Sequence, residues 1–262
     1  MKVGFLTIFP HLVNYMIQNL SLTKRSIRRQ KVEFKVVDVR GFCKDKHLQV
    51  DDYIFGSKKG MIMRFDVLLE SLIYCKNEFV NPYVILPSPR GRVICQYTIK
   101  DLSKLDELIF ICPNYEGVDD RILRFVNEEL SIGDYVISSG ELASFVILEA
   151  ILRYKFIDSE QPLVDKASVL DDSFNYAGMD CLLEPLQYTR PRVLKFNNFE
   201  IPVEEYVYSG NHEQIRKNNI KNAINLTIFK KPHLIKKFLN KYYNTVDKKL
   251  IFEAFLDFCF PS

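Results

Sequence analysis

The sequence predicts an α/β protein with a mostly parallel sheet, followed by a helical C-terminal part. Two patterns carry this reading. Short apolar runs rich in Val, Ile and Phe, bounded by Pro, Gly or Asp, alternate with segments of helical spacing, as in layered strand–helix folds. After about Ile157 the alternation stops and helical stripes take over.

The strand-like runs are residues 3–9, 33–39, 83–86, 108–112 and 135–137. Between them, Val67, Leu68, Ser71, Leu72 and Cys75 share one helical face, and Ile122, Phe125, Val126, Glu129 and Leu130 share another. Residues 158–171 are polar, contain Pro162 and show no period, which reads as a flexible linker. The predicted division is therefore a first domain at 1–157, a linker at 158–171 and a helical domain at 172–262. In the last part, Leu234, Ile235, Phe238, Leu239 and Tyr242 form one stripe, and Ile251, Phe252, Phe255, Leu256 and Cys259 form a second. Lys221, Lys230, Lys231, Lys236, Lys237 and Lys241 lie around the first stripe, a face that reads as solvated or as a contact for nucleic acid.

Composition narrows the function classes. A hydrophobic share of 47% with 26% charged residues fits a globular chain with a sizeable core, and Lys+Arg 36 against Asp+Glu 33 leaves only +3. That charge does not by itself imply nucleic acid. Six cysteines without a C-x-x-C pair, and four histidines without H-E-x-x-H, disfavour a disulfide frame and a zinc site. The opening MKVGFLTIFPHLV is broken by Pro10 and reads as a first strand, not a signal peptide. The apolar segment 142–152 is far shorter than the ~20 residues of a membrane span. The expected location is the cytoplasm, with no membrane partner.

Three glycine-containing loops follow sheet elements: PSPRGR at 87–92, PNYEGVDDR at 113–121 and SIGDYVISSGELAS at 131–144. In parallel α/β sheets ligands gather beyond the carboxyl ends of strands, so the three loops could wall one pocket. None carries G-x-G-x-x-G or the phosphate-cradling G-x-x-x-x-G-K-[ST].

LPSPRGR, NYEGVDDR, SIGDYVISSGEL, DDSF, QYTRPRV and YSGNHEQIRK occur in the order found in bacterial tRNA (guanine-N1)-methyltransferases of the TrmD family, which the chain resembles from Met1 to about Leu234. The resemblance implies a SPOUT-type parallel sheet with a deep trefoil knot, a small C-terminal helical domain, and a homodimer whose active sites lie across the subunit interface. It implies S-adenosyl-L-methionine as cofactor, tRNA as partner, and methylation of N1 of the guanosine at position 37, 3′ of the anticodon, with magnesium assisting as in similar enzymes.

Removing the N1 proton needs a base, and the charge that develops at O6 needs a cation. By resemblance these are Asp172 and Arg153. The implied cofactor residues are Leu86, Ser88, Pro89 and Gly91 in the first loop, Pro113, Tyr115, Glu116 and Gly117 in the second, and Ile132, Gly133, Asp134, Tyr135, Val136, Ile137 and Gly140 in the third. His47, Asp51 and Gly60 are implied at the target nucleotide; Asn211, His212 and Arg216 are implied at the tRNA. No metal ligands are expected.

The sequence also departs from the family pattern. Phe55-Gly56-Ser57-Lys58-Lys59-Gly60-Met61 replaces a glycine-rich stretch, Pro113-Asn114 replaces Gly-Arg, and Ser139 replaces a glycine. Ala143 replaces a proline, Arg90 a glutamine, Leu186-Gln187 a Pro-His pair and Asn218 a tryptophan. These changes leave a second reading open: a tRNA-binding protein that keeps the fold without turnover.

Overall fold

The computed structural model describes residues 1–56, 59–197 and 199–259. The chain forms two compact units, Met1–Val164 and Asp165–Ser262. The division falls inside the expected linker.

In the first unit, β1 (Lys2–Thr7) leads into α1 (Pro10–Asn19), which begins with proline at its first turn, where no amide hydrogen is needed. Then follow α2 (Ser21–Arg28), β2 (Glu33–Asp38), the short antiparallel pair β3 (Asp51–Tyr53) and β4 (Met61–Met63), and α3 (Phe65–Lys76). The remaining elements are β5 (Tyr83–Val93), α4 (Gln96–Leu102), β6 (Glu107–Ile111), β7 (Glu128–Ser131) and α5 (Gly140–Lys155). The sheet is parallel, in the order β2-β1-β6-β5-β7.

Both faces of this sheet are covered, which explains the continuous apolar runs. Alternate residues point to opposite sides. Phe5 and Phe110 stack with Phe145 of α5 on one side, at centroid separations of 5.4 and 5.0 Å from Phe5. Leu6, Ile109 and Ile111 pack with Leu68 and Leu72 of α3 on the other.

Two sequence expectations are corrected here. Residues 135–137 form no strand, and the edge strand is β7, starting seven residues earlier in the segment read as helical. Tyr135, Val136 and Ile137 are exposed, so no core selects an extended pairing there. The spacing of Ile122, Phe125, Val126, Glu129 and Leu130 is split between two elements: a 3₁₀ turn at Asp120–Phe125, capped by Asp119, and β7. Ile122 and Leu130 are both buried, but in different clusters on opposite faces of the sheet.

The first loop is also more ordered than the sequence suggests. Pro87 and Arg92 both register with Leu130, so residues 88–91 bulge out of one long strand. Gly91 is required inside that excursion because a Cβ would lie 2.5 Å from the backbone of Glu129 and Leu130. At the end of the unit, Arg25 of α2 and Arg29 just after it donate to the carbonyls of Leu163 and Pro162, and Leu163 is buried in the core.

The second unit contains α6 (Lys166–Leu170), the hairpin β8 (Val193–Phe196) and β9 (Phe199–Pro202), and three helices: α7 (His212–Lys230), α8 (Pro232–Tyr242) and α9 (Lys248–Cys259). The hairpin adds to the helices expected from sequence. Its residues are exposed on both faces, so no burial pattern announces it. Ile224, Ile228, Phe238 and Ile251 form the core with Met179 and Leu182. Two lysines of the predicted basic face are internal pins: Lys241 pairs with Asp180 at 2.8 Å and Lys221 with Asp257 at 2.9 Å.

Candidate cofactor and substrate site

The three loops converge at the carboxyl ends of β5, β6 and β7. Two cavities share the first loop there. The smaller, about 60 Å³, is lined by Pro87–Pro89 and by Ile132, Gly133, Tyr135, Ile137 and Gly140 of the third loop. The larger, about 500 Å³, is lined by Leu86–Arg90, Pro113, Glu116, Gly117 and Val136, with Ile54 and Ile62 from the β3–β4 region. Its volume lies within the usual range for small-molecule sites. A wider groove of about 920 Å³ beside β2 contains none of the residues expected to bind.

The loops touch one another through backbone. Gly140 donates to the Pro113 carbonyl at 2.9 Å, and a Cβ at Gly140 would stand 2.3 Å from Pro113 Cδ. The second loop is stitched to β4: the amide of Glu116 donates to Met61 at 3.0 Å, that of Met63 to Gly117 at 2.9 Å and that of Asp119 to Met63 at 3.0 Å. Positive φ at Tyr115 (56°) and Gly117 (120°) turns the chain between these contacts.

Expected cofactor and nucleotide residues therefore meet. A Cβ at Gly60 would lie 2.6 Å from Glu116 Cγ, so the loop expected at the nucleotide rests on the second loop. Asp51 is buried beside Tyr115, whose ionisation is pushed up by burial and by that neighbouring carboxylate. His47 instead lies exposed on a loop held by Asp45. Ser57 and Lys58, part of the altered glycine-rich stretch, lie outside the described residues. Gly91, Tyr115 and Asp134 line neither cavity: Gly91 faces β7, and Asp134 is exposed.

Sequence reading missed the polar bond system behind the loops. Glu141, with no exposed surface, accepts from the Thr7 hydroxyl at 2.6 Å, the Asn114 amide at 3.1 Å and the Ser139 hydroxyl at 2.9 Å. Two of these donors, Asn114 and Ser139, are departures from the family pattern, and their joint appearance was the available signal. Beside them the buried Cys112 thiol is held protonated by burial and by the Glu141 carboxylate. At the cavity mouth Arg90, another departure, grips Asp120 through both terminal nitrogens at 2.5 and 3.1 Å.

A model of the family described as tRNA (Guanine-1)-methyltransferase TrmD matches residues 1–237. The chain belongs to this family. It is similar to proteins named tRNA (guanine-N(1)-)-methyltransferase from Thermosipho melanesiensis, 37% identical over 97% of both chains, and Thermosipho africanus, 37% identical over 97% of this chain and 96% of that one. A relative of the same name from Thermotoga maritima is 34% identical over 97% of both chains.

The two expected catalytic residues of the family lie in different units. Arg153 is half-buried in the last turn of α5, where a cation suits the helix dipole. Asp172 is half-buried in the turn after α6, with its carbonyl accepting from Asn175 at 3.0 Å. Asn211 caps α7 by accepting from Gln214 at 3.1 Å, while His212 and Arg216 are exposed on its first turns. Arg216 borders a groove with Tyr176, Tyr188 and Asn219. Among the described residues, no group of three or more His, Cys, Asp or Glu side chains is placed to hold a metal ion, and no helix is long and apolar enough to cross a membrane.

Proposed function

We propose that this chain transfers a methyl group from S-adenosyl-L-methionine to N1 of the guanosine at tRNA position 37. The observation that carries this reading is the convergence of the three loops around two cavities that share the first loop, in a chain of this family. The donor set suits the cofactor. Exposed Tyr135, Val136 and Ile137 offer an apolar wall for a base, and Glu116 offers a carboxylate for a cationic group. When bound, the cofactor supplies an electrophilic methyl on a sulfonium.

The chain's own residues do the rest. Asp172 would take the N1 proton and Arg153 would stabilise the negative charge that shifts to O6, leaving the nitrogen nucleophilic towards the methyl group that the cofactor would supply. His47, Asp51 and Gly60 border the guanine or its neighbour, and Asn211 and His212 open the tRNA-facing helix whose Arg216 reaches the phosphates. Magnesium would assist, as it does in similar enzymes. We further infer a knotted SPOUT-type first domain, a flexible linker and a helical tRNA-binding domain, with the protein cytoplasmic. We also infer a homodimer with each site built across the interface; Leu142 and Val146, exposed one turn apart on α5, supply an apolar stripe that a second subunit would cover.

The test is single-turnover transfer of labelled methyl to unmodified tRNA. Label on a transcript with guanosine at position 37, and none when that guanosine is replaced, is the expected outcome. tRNA binding without any transfer would favour the binding-only reading instead.

A further inference from the structure

We propose that Glu141 is a positioning residue of the cofactor site: its carboxylate, held by Thr7, Asn114 and Ser139, locks the end of β1 to the second and third loops in the shape that receives the cofactor. This rests on the cofactor reading above.

The lock is made of long-range bonds. Thr7 is 134 residues from Glu141 and Asn114 is 27 residues away. Each donor sits where one chain segment leaves the sheet or enters a helix. Thr7 ends β1 and also accepts the Phe9 amide at 2.8 Å; Asn114 follows Pro113, and Ser139 precedes Gly140. Pro113 lines the larger cavity, and Ser139 and Gly140 line the smaller. A shift of Glu141 therefore moves walls of both.

The chemistry argues against a merely structural pin. A carboxylate without exposed surface is costly to bury, and replacement of buried polar groups by packed apolar ones is often neutral or stabilising. Among the described residues no Lys or Arg pairs with Glu141; the three donors are neutral. What this arrangement provides over an apolar plug is direction: each hydrogen bond fixes the distance between two segments, and both carboxylate oxygens are engaged. Asn114 and Ser139, standing where the family pattern has arginine and glycine, thus share one task.

Thr7 gives the cleanest test because it is buried and lines neither cavity. Titration calorimetry with S-adenosyl-L-methionine on the full chain compares wild type, Thr7→Val, Thr7→Ser and Asn114→Ala, with thermal melts alongside. Losing one hydrogen bond to a charged group predicts cofactor binding about tenfold weaker in Thr7→Val and Asn114→Ala. Thr7→Ser, which keeps the hydroxyl, should stay within about threefold. In turnover, KM for the cofactor should rise while KM for tRNA stays. If Thr7→Val and Asn114→Ala melt earlier but bind the cofactor like wild type, the residue is a structural pin and the proposal fails. If Thr7→Val does not fold, Asn114→Ala decides alone. A wild type that binds no cofactor removes the cofactor reading and the proposal together.

Discussion

Gly140 and Pro113 meet backbone to backbone: the Gly140 amide donates to the Pro113 carbonyl at 2.9 Å, and no room for a Cβ is left between them. The start of α5 is thereby pressed onto the second loop. Gly140→Ala must push the two segments apart, an overpacking cost of about 1–3 kcal/mol. The expected outcome is a melting temperature lower by roughly 2–10 °C, with cofactor affinity falling more than tRNA affinity. Unchanged calorimetric cofactor binding would contradict this.

Asp172→Ala should lower single-turnover methyl transfer by about 10²–10⁴-fold, the usual contribution of a general base. Filter binding of tRNA and calorimetric binding of the cofactor should stay near wild type. A variant that keeps most of its rate would remove Asp172 from the role of base.

Gly60→Ala faces both a φ of +107° and a Cβ 2.6 Å from Glu116 Cγ. Positive φ in a residue other than glycine costs about 1–3 kcal/mol, and Glu116 must also move. If the two loops hold nucleotide and cofactor as proposed, both KM values should rise together in steady-state assays, because Gly60 and Glu116 meet between them. An effect on tRNA alone would separate the two loops.

Arg90→Gln restores the residue usual in the family. Although Arg90 and Asp120 bond through two contacts, their side chains are 58% and 63% exposed. An exposed pair contributes about 0–1 kcal/mol. The melting temperature should change by less than about 4 °C, and the change should shrink further at high salt. A larger loss would show that Arg90 does more than close a surface bridge.

Alkaline stability should depend on Cys75. Burial pushes this thiol from 9.0 up to about 11. The unfolded chain thus loses the proton first, so the contribution is complete below pH 9 and fades as pH rises through 11. Urea unfolding at pH 8 and at pH 10.5 should show a steeper decline in wild type than in Cys75→Ala, by about 1–3 kcal/mol. Equal declines would mean that the thiol titrates normally.

Much of the first unit was legible because its strands are buried on two faces, so Val3, Phe5, Leu108 and Phe110 appear as dense apolar runs. The same rule misled at residues 135–137, where apolar side chains face outward and invite a partner instead of a core. Ile122 and Leu130 imitated one helix because periodicity cannot reveal a break between them. Of the site, the three loops were readable as local sequence, since their glycines and prolines mark turns. The bond between Thr7 and Glu141 was not, because neither residue carries a local sign of a partner so far along the chain.

That separation has a consequence for the birth of the protein. The first donor of the lock leaves the ribosome at the outset, and its acceptor follows 134 residues later. Contacts so distant in sequence form late, after the entropy of closing a long loop has been met. A nascent chain lacking α5 lacks Glu141 and Gly140, and with them the bonds that tie the third loop to the second. On the proposed role of the lock, cofactor binding would therefore not arise until α5, Gly140–Lys155, has left the ribosome, rather more than half-way along the 262-residue chain.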